Sequence, residues 1–503
     1  MQARPNALLL AAPSILVATL ALAPFLGKAY TIDDTLFLRE AEHMLRDFWH
    51  PTAFDMVWGE ARERFSTILS SGPVGAALLL PAVAHGGAEW IAHAMQLAML
   101  AIALVATARL ALRLGLTPSA ARWTTLLLAT TPAVLGMAGT AMPDVAAMAL
   151  GVWAMERLLA YRDDGRWHQA AAGVLLLTLA VLARAHFVLL AAVAALALPR
   201  RRWLPLVLAP LVAFAAMRLF RDHDATLATT AARYSTGRSL DRNLVAFAVH
   251  WVLALPLAIP WTIRRWRSMP WKVALIAVPV AAGLLWNAEH TRWLWIAPIA
   301  GLGAVVLTDV VRTSDRMLAA WLFVALPAAI YVHLPSKYLL ASAPAVALLV
   351  APMLSRRLAA ATCAVALLVG VLIVRADAVF AGLGRRAAAE LVAPAVARGE
   401  HVWILGHWGF QWYAERAGAQ AFGSPPPAPP AGDLVITAAQ GLNDLWRFLP
   451  PRRRLVTTLA DATPGGRVMS RPACAGFFSN AWGYLPWSFG TAEIDRFEVW
   501  RVE

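Results

Sequence analysis

Cysteine occurs only twice in the 503 residues, as Cys363 and Cys474. One sits in an apolar run and the other far downstream, which excludes both a disulfide-stapled domain and the spacing of a zinc site. Lysine is almost as scarce, at Lys28, Lys272 and Lys337. Charged residues make up 15% of the chain, against about 25% in an ordinary soluble domain. With 60% hydrophobic residues and a mean hydropathy of +0.59, a soluble fold has too little polar surface to cover the rest. A tandem repeat of fixed period is also lacking, so a solenoid is not indicated.

What is abundant points to a bilayer. The chain has 22 Trp and 32 Pro; Trp favours membrane interfaces and Pro is tolerated in membrane helices. The net charge of +14 comes largely from Arg placed between apolar runs. The positive-inside rule accounts for that placement, so the basicity does not call for a nucleic-acid partner.

Thirteen apolar stretches read as spans: 8–27, 88–112, 123–140, 145–161, 170–183, 185–198, 204–220, 244–263, 273–286, 293–311, 317–333, 338–354 and 358–374. The first is expected to be an uncleaved anchor. Threaded from a cytoplasmic N-terminus, they put six Arg-bearing loops on the cytoplasmic side, around Arg109, Arg162, Arg201, Arg265, Arg312 and Arg356. The opposite side receives a first outer loop (28–71), the Pro143-Asp144 corner, the turn at Arg184, the loops 221–243, 287–292 and 335–337, and the whole tail. Segment 74–83 is too short to span and suits a helix lying at the interface. The expected fold class is thus an α-helical polytopic membrane protein, multi-pass in a cell (inner or plasma) membrane.

Composition shifts at Arg375. Residues 375–503 read as a small extracytoplasmic α/β domain with strands at 401–405, 434–437 and 497–502, a helix at 409–417 ended by Gly418, and a Pro-rich loop at 424–430. Residues 1–374 form the membrane domain.

The charged residues that interrupt apolar sequence carry the chemistry. Asp33 and Asp34 are adjacent where the chain leaves the first span. Beside a low-dielectric surface one can serve as a general base while the other orients a substrate or a cation. Asp34 is equally suited to capping a helix from Thr35 through Arg46. Asp144 follows Met142-Pro143, where it can act in a site or complement a helix dipole. Arg184 and His186 interrupt the run 171–198, and a guanidinium there suits an anionic phosphate headgroup. Lys337, followed by Tyr338, is either a phosphate contact or a snorkelling interfacial Lys. A divalent ion on Asp34 or Asp144 matches their hard oxygen ligands, and the metal is left unassigned. In the tail, His407, Trp408, Gln411 and Trp412 either line an acceptor groove or pack a small core. The run Arg452 to Arg454 reads as solvated surface or as a contact to acidic lipid headgroups.

The order of these motifs resembles glycosyltransferase family 39 in the GT-C superfamily, which includes protein O-mannosyltransferases and lipid A aminoarabinose transferases. The resemblance rests on a first span, the outer-loop Asp33-Asp34-Thr35-Leu36-Phe37, a Gly72-Pro73-led interfacial helix, the Met142-Pro143-Asp144 corner and Lys337-Tyr338-Leu339-Leu340 before a late span. It covers most of residues 1–374. It implies an inverting transfer of a sugar from a polyprenyl-phosphate donor to a lipid, glycan or protein acceptor outside the cytoplasm. It also implies a base at Asp33 or Asp34, the latter standing where Glu is usual. Asp144 matches the second outer acid, and Arg184 and Lys337 match basic positions near the lipid phosphate, with His186 and Tyr338 beside them. Gly72-Pro73-Val74 replaces the usual Pro-Pro-Leu. A transporter or flippase of a lipid-linked saccharide is the rival reading, and a non-catalytic scaffold the third.

Overall fold

The computed structural model describes residues 5–58, 61–69, 71–220, 239–255, 257–286, 291–423, 429–442 and 445–503. Most of the expected outer loop 221–243, positions 287–290 of the loop 287–292, and most of the Pro-rich loop lie outside the described residues.

The chain is mostly helical, with a small sheet near its C-terminal end. The first helix, Ala7–Leu22, starts at Asn6, whose side chain accepts from the Leu8 amide at 2.9 Å. That bond satisfies one of the open donors every helix start carries. Among the described residues five helical stretches are long and apolar enough to cross a membrane: Ala7–Phe25, Glu89–Arg113, Arg200–Phe220, Trp293–Thr313 and Arg356–Ala397. Leu240–Leu253 with Ala258–Arg265 makes a sixth if that bent pair is one span. Several other expected spans are shorter apolar helices, including Trp167–Ala183, Arg316–Ile330 and Ala343–Met353.

Proline explains much of the shortening. The stretch 123–140 is two helices, Pro118–Thr130 and Pro132–Ala138, with Thr131 between them at φ −57° and ψ 126°. A residue before proline is pushed out of the helical region, and the missing Pro132 amide cannot continue the ladder. The stretch 338–354 likewise begins as a 3-10 segment, Ser336–Ala341, before the helix Ala343–Val350 with Pro344 in its first turn. The stretch 185–198 opens as the 3-10 turn Ala185–Val188 and is helical only over Leu189–Ala195. The helix Arg356–Ala387, by contrast, continues past the compositional change at Arg375.

The tail carries a five-stranded mixed sheet in the order Gln420–Ala421, Val402–Leu405, Leu434–Ala438, Asp495–Val502, Arg453–Asp461. Val402–Leu405 pairs in parallel with both neighbours, and Asp495–Val502 pairs antiparallel with Leu434–Ala438 and Arg453–Asp461. The helix Trp408–Arg416 follows the first strand, and Gly418 ends the turn at φ +101°, a conformation glycine adopts without steric cost. This helix packs against the first outer loop, which brings the tail to the site.

Candidate active site

The first outer loop is held at both ends. At its start the Lys28 ammonium is buried against Asp377 at 2.6 Å, and the Tyr30 amide donates to the Tyr413 hydroxyl at 2.8 Å. Ile32 then adopts φ +40°. A β-branched residue resists that region at a cost of about 1–3 kcal/mol, so the surrounding contacts hold the strain. The turn delivers Asp33 to the N-cap position of the helix Asp34–Met44. The expectation that Asp34 caps a helix beginning at Thr35 is corrected: Asp33 holds the cap position, without a side-chain capping bond.

The two carboxylates face different partners. Asp34 is fully buried; its Oδ2 accepts from the Thr31 amide at 2.9 Å and its Oδ1 from the Ala141 amide at 2.8 Å. It thereby ties the loop to the corner before Asp144. Burial pushes its carboxyl up to about 7, against the pull of Lys28 and the two amides. Asp33 leaves 31% of its side chain accessible and accepts from Lys337 Nζ at 2.7 Å. Burial alone would raise its carboxyl; the Lys337 ion pair and hydrogen bond, aided by Arg184, outweigh it and hold Asp33 below the ordinary 3.8.

Lys337 is 3% exposed, and the segment carrying it is clamped. Asn243 Nδ2 donates to the carbonyls of Ala329 at 2.9 Å and Tyr331 at 2.6 Å. From the tail, Asn480 Nδ2 donates to Asn243 Oδ1 at 2.9 Å, and Asn480 Oδ1 accepts from the Leu334 amide at 2.9 Å. The Ser336 amide donates to the Phe477 carbonyl at 3.1 Å. These bonds fix the backbone that carries Lys337 and so set where its ammonium stands beside Asp33.

A second buried pair lies beside the first. Arg184 donates to Asp144 Oδ2 at 2.6 Å and to the Ser71 hydroxyl at 3.2 Å, and its guanidinium lies 5.2 Å from the Phe37 ring centre. Asp144 opens the helix Asp144–Asp164, where a negative charge meets the positive end of the helix dipole. Gly72 lets the loop approach closely, since a Cβ there would fall 2.6 Å from the Leu182 carbonyl oxygen. That gives the Gly72-Pro73 sequence a steric reason. The His186 ring lies 5.6 Å from Tyr338, and Lys337 Nζ lies 5.9 Å from the Tyr338 ring centre.

Asp33, Asp144, Arg184, His186, Lys337 and Tyr338 therefore form one cluster, while Asp34 turns toward Lys28 and Asp377. Asp144 Oδ1, Arg184 Nε and His186 Nε2 are buried without a hydrogen-bond partner among the described residues. Native interiors rarely leave such atoms unpaired, so this is where a polar ligand would be gripped. Among the described residues no three His, Cys, Asp or Glu side chains come together as metal ligands. The carboxylates considered for a divalent ion, Asp34 and Asp144, are engaged by amides and by Arg184.

Sequence reading missed Lys28, Asp377, Asn243 and Asn480. The rarity of lysine was a usable signal for Lys28; nothing local marks the two asparagines. In the tail, His407 stacks on Trp58 at 5.0 Å, Gln411 donates to the Val57 carbonyl at 2.9 Å, and Trp412 is buried against Tyr30 at 5.9 Å. These residues, with Trp408 at 6.4 Å from Phe380, pack the tail onto the first outer loop and the last long helix rather than lining an open groove.

No family model matches the chain, and no curated protein matches it. Among solved structures it is similar to an Archaeoglobus fulgidus oligosaccharyltransferase crystallised with Zn and sulfate, at 12% identity and a TM-score of 0.37. The match covers 83% of this chain and 62% of that one, so the chain spans less than two thirds of that protein.

Proposed function

We propose that the protein is a GT-C-type membrane glycosyltransferase that moves a sugar from a polyprenyl-phosphate carrier to an extracytoplasmic lipid, glycan or protein acceptor, with inversion. The observation that carries the reading is the partly open Asp33 carboxylate, ion-paired to Lys337 at 2.7 Å beside the buried Asp144–Arg184 pair. In this reading the N-terminus is cytoplasmic, thirteen helical segments are threaded through or into an inner membrane, and residues 375–503 stand outside as a small domain.

The chemistry follows from charge. A carrier phosphate entering the cluster competes with Asp33 for the Lys337 ammonium and meets the free Nε of Arg184. As Lys337 turns to the phosphate, Asp33 loses its counterion and becomes a stronger base. Asp33 takes the proton of the acceptor hydroxyl or amine, the acceptor atom bonds to the anomeric carbon, and the carbon–oxygen bond to the phosphate breaks. The electron pair leaves on the phosphate oxygen, where Lys337 and Arg184 stabilise it. Asp34, with both oxygens engaged by amides, positions the loop.

The test is sugar transfer by purified wild type and Asp33→Asn, supplied with a polyprenyl-phosphate sugar and candidate acceptors and read by mass spectrometry. A fall of about a hundredfold or more is expected in the variant, the usual scale of a lost general base. Equal transfer by both proteins sinks the base assignment. Movement of the lipid-linked sugar between leaflets without transfer favours the transporter.

A further inference from the structure

The helices Glu89–Arg113 and Asp144–Asp164 both lead away from the candidate site. The second has 21 residues, about 30 Å at 1.5 Å per residue, which is close to the hydrocarbon thickness of a bilayer. At their far ends lies a cavity of about 750 Å³, open to the surface. Its polar side holds Arg109, Arg113, Trp153, Glu156 and Asp163; Leu8 and Val105 contribute to the apolar side.

The charges clustered around this cavity do not balance. Glu156 is 1% exposed, and Arg109 at 3.6 Å, Arg113 at 3.0 Å and Arg157 all converge on it. Asp163 accepts from Arg113 at 2.9 Å and from Arg162 at 2.9 Å. In the lining itself Arg109 and Arg113 face Glu156 and Asp163; with Arg157 and Arg162, which lie outside the lining, four guanidiniums against two carboxylates leave the surrounding cluster with an excess positive charge. The Trp153 ring lies 5.4 Å from the Arg109 guanidinium and 5.7 Å from that of Arg157, which holds both cations near an aromatic face. Arg109 has 41% of its side chain exposed, and its 3.6 Å approach to Glu156 is too long for a hydrogen bond. Its buried Nε lacks a partner among the described residues.

We propose that this cavity binds the phosphodiester headgroup of an anionic phospholipid, with Arg109 as the principal contact and Trp153 as the platform beneath it. Arg109 supplies the unsatisfied donor, the excess positive charge of the surrounding cluster favours an anion, and the apolar wall takes the start of the acyl chains. A basic pocket between helices at the end of a bilayer-length span is the arrangement that holds lipid phosphate. The site is a helix length away from Asp144 and is independent of the transfer reaction.

The test uses the full chain, delipidated in detergent, with phosphatidylglycerol or phosphatidylcholine of identical acyl chains and native mass spectrometry to count retained lipid. Wild type is expected to hold phosphatidylglycerol about tenfold more tightly, the scale of one charge-assisted contact. Arg109→Gln should reduce it to the phosphatidylcholine level, and Arg200→Gln, an exposed Arg outside the cavity lining, should not. Equal retention of the two lipids by wild type overturns the proposal without any variant. So does an Arg200→Gln loss as large as that of Arg109→Gln, which would indicate surface charge alone. Displacement of the lipid by inorganic phosphate at equal concentration would assign the site to free phosphate instead.

Discussion

Lys337 and Asp33, 304 positions apart, meet across 2.7 Å, while Asp34 reaches the Ala141 amide on another side of the same turn. Adjacent carboxylates thus have separate tasks. Asp33 keeps an accessible face beside a cation, and Asp34 spends both oxygens on backbone donors.

That division predicts different defects for the two amide substitutions. Asp33→Asn keeps an oxygen for Lys337 but leaves that buried ammonium without its counter-ion, so sugar transfer should be lost and some stability with it. Asp34→Asn sets an NH2 group against the amide of Thr31 or Ala141. An unmade buried hydrogen bond costs about 1–3 kcal/mol, and the melting temperature should fall accordingly. The transfer assay run below both melting transitions separates the two: transfer kept by folded Asp33→Asn and lost by folded Asp34→Asn would exchange the roles.

The pH dependence of transfer distinguishes the same pair. A base works in its ionised form, so activity persists above its pKa and fades below it. Asp33 is held below 3.8 by Lys337, so with Asp33 as base the acid limb of kcat/KM lies below pH 4. Burial pushes Asp34 up to about 7, so with Asp34 as base activity would halve near pH 7. Stability runs the other way for Asp34. Its folded form binds the proton more tightly than the unfolded chain, so its contribution is greatest below pH 3.8 and declines as pH rises through about 7.

Arg184→Gln should be among the most damaging single changes. Asp144 is 1% exposed and Arg184 8%. Removing the guanidinium leaves a buried carboxylate without its counter-ion, a loss of about 3–5 kcal/mol. Arg184→Lys restores charge but cannot reach Asp144 and Ser71 together, so it should recover stability only in part. Melting temperatures of the two variants check this; equal melts for Arg184→Gln and wild type would show that the pair contributes little.

The site was legible wherever a charge interrupted apolar sequence. Asp144, Arg184 and Lys337 stand out because few other charges surround them, Asp33 because it follows directly on the first span, and the structure gathers all four. Which of the adjacent acids stays accessible was not legible, because the deciding Ala141 amide lies 107 positions from Asp34. Asp377 was read as part of the tail because the apolar run ends near residue 374, yet its helix continues to Ala387 and its partner Lys28 is 349 positions away. Hydropathy windows also read through prolines such as Pro132 that break the backbone. The strand Arg453–Asp461 was missed because its residues are mostly exposed and show no inward-facing alternation.

Gly409 tests how closely the tail must approach the first outer loop. It lies in the helix Trp408–Arg416, and a Cβ there would fall 2.2 Å from the Tyr30 carbonyl oxygen. That oxygen belongs to backbone, so no side chain can rotate aside. The same helix grips the loop through Tyr413, whose hydroxyl accepts from the Tyr30 amide at 2.8 Å. Gly409→Ala must either push the helix away and break that bond or displace Tyr30, three residues before Asp33. Overpacking of this kind costs about 1–3 kcal/mol, and a shift in the turn at Ile32 would reach the carboxylate directly. The expected result is a lower melting temperature together with a fall in kcat. Gly382→Ala supplies the control: its Cβ meets nothing within 4 Å in the middle of a helix, so alanine there should stabilise the protein by about 0.4–1 kcal/mol and leave transfer unchanged. If Gly409→Ala melts and turns over like wild type, the tail does not position the loop.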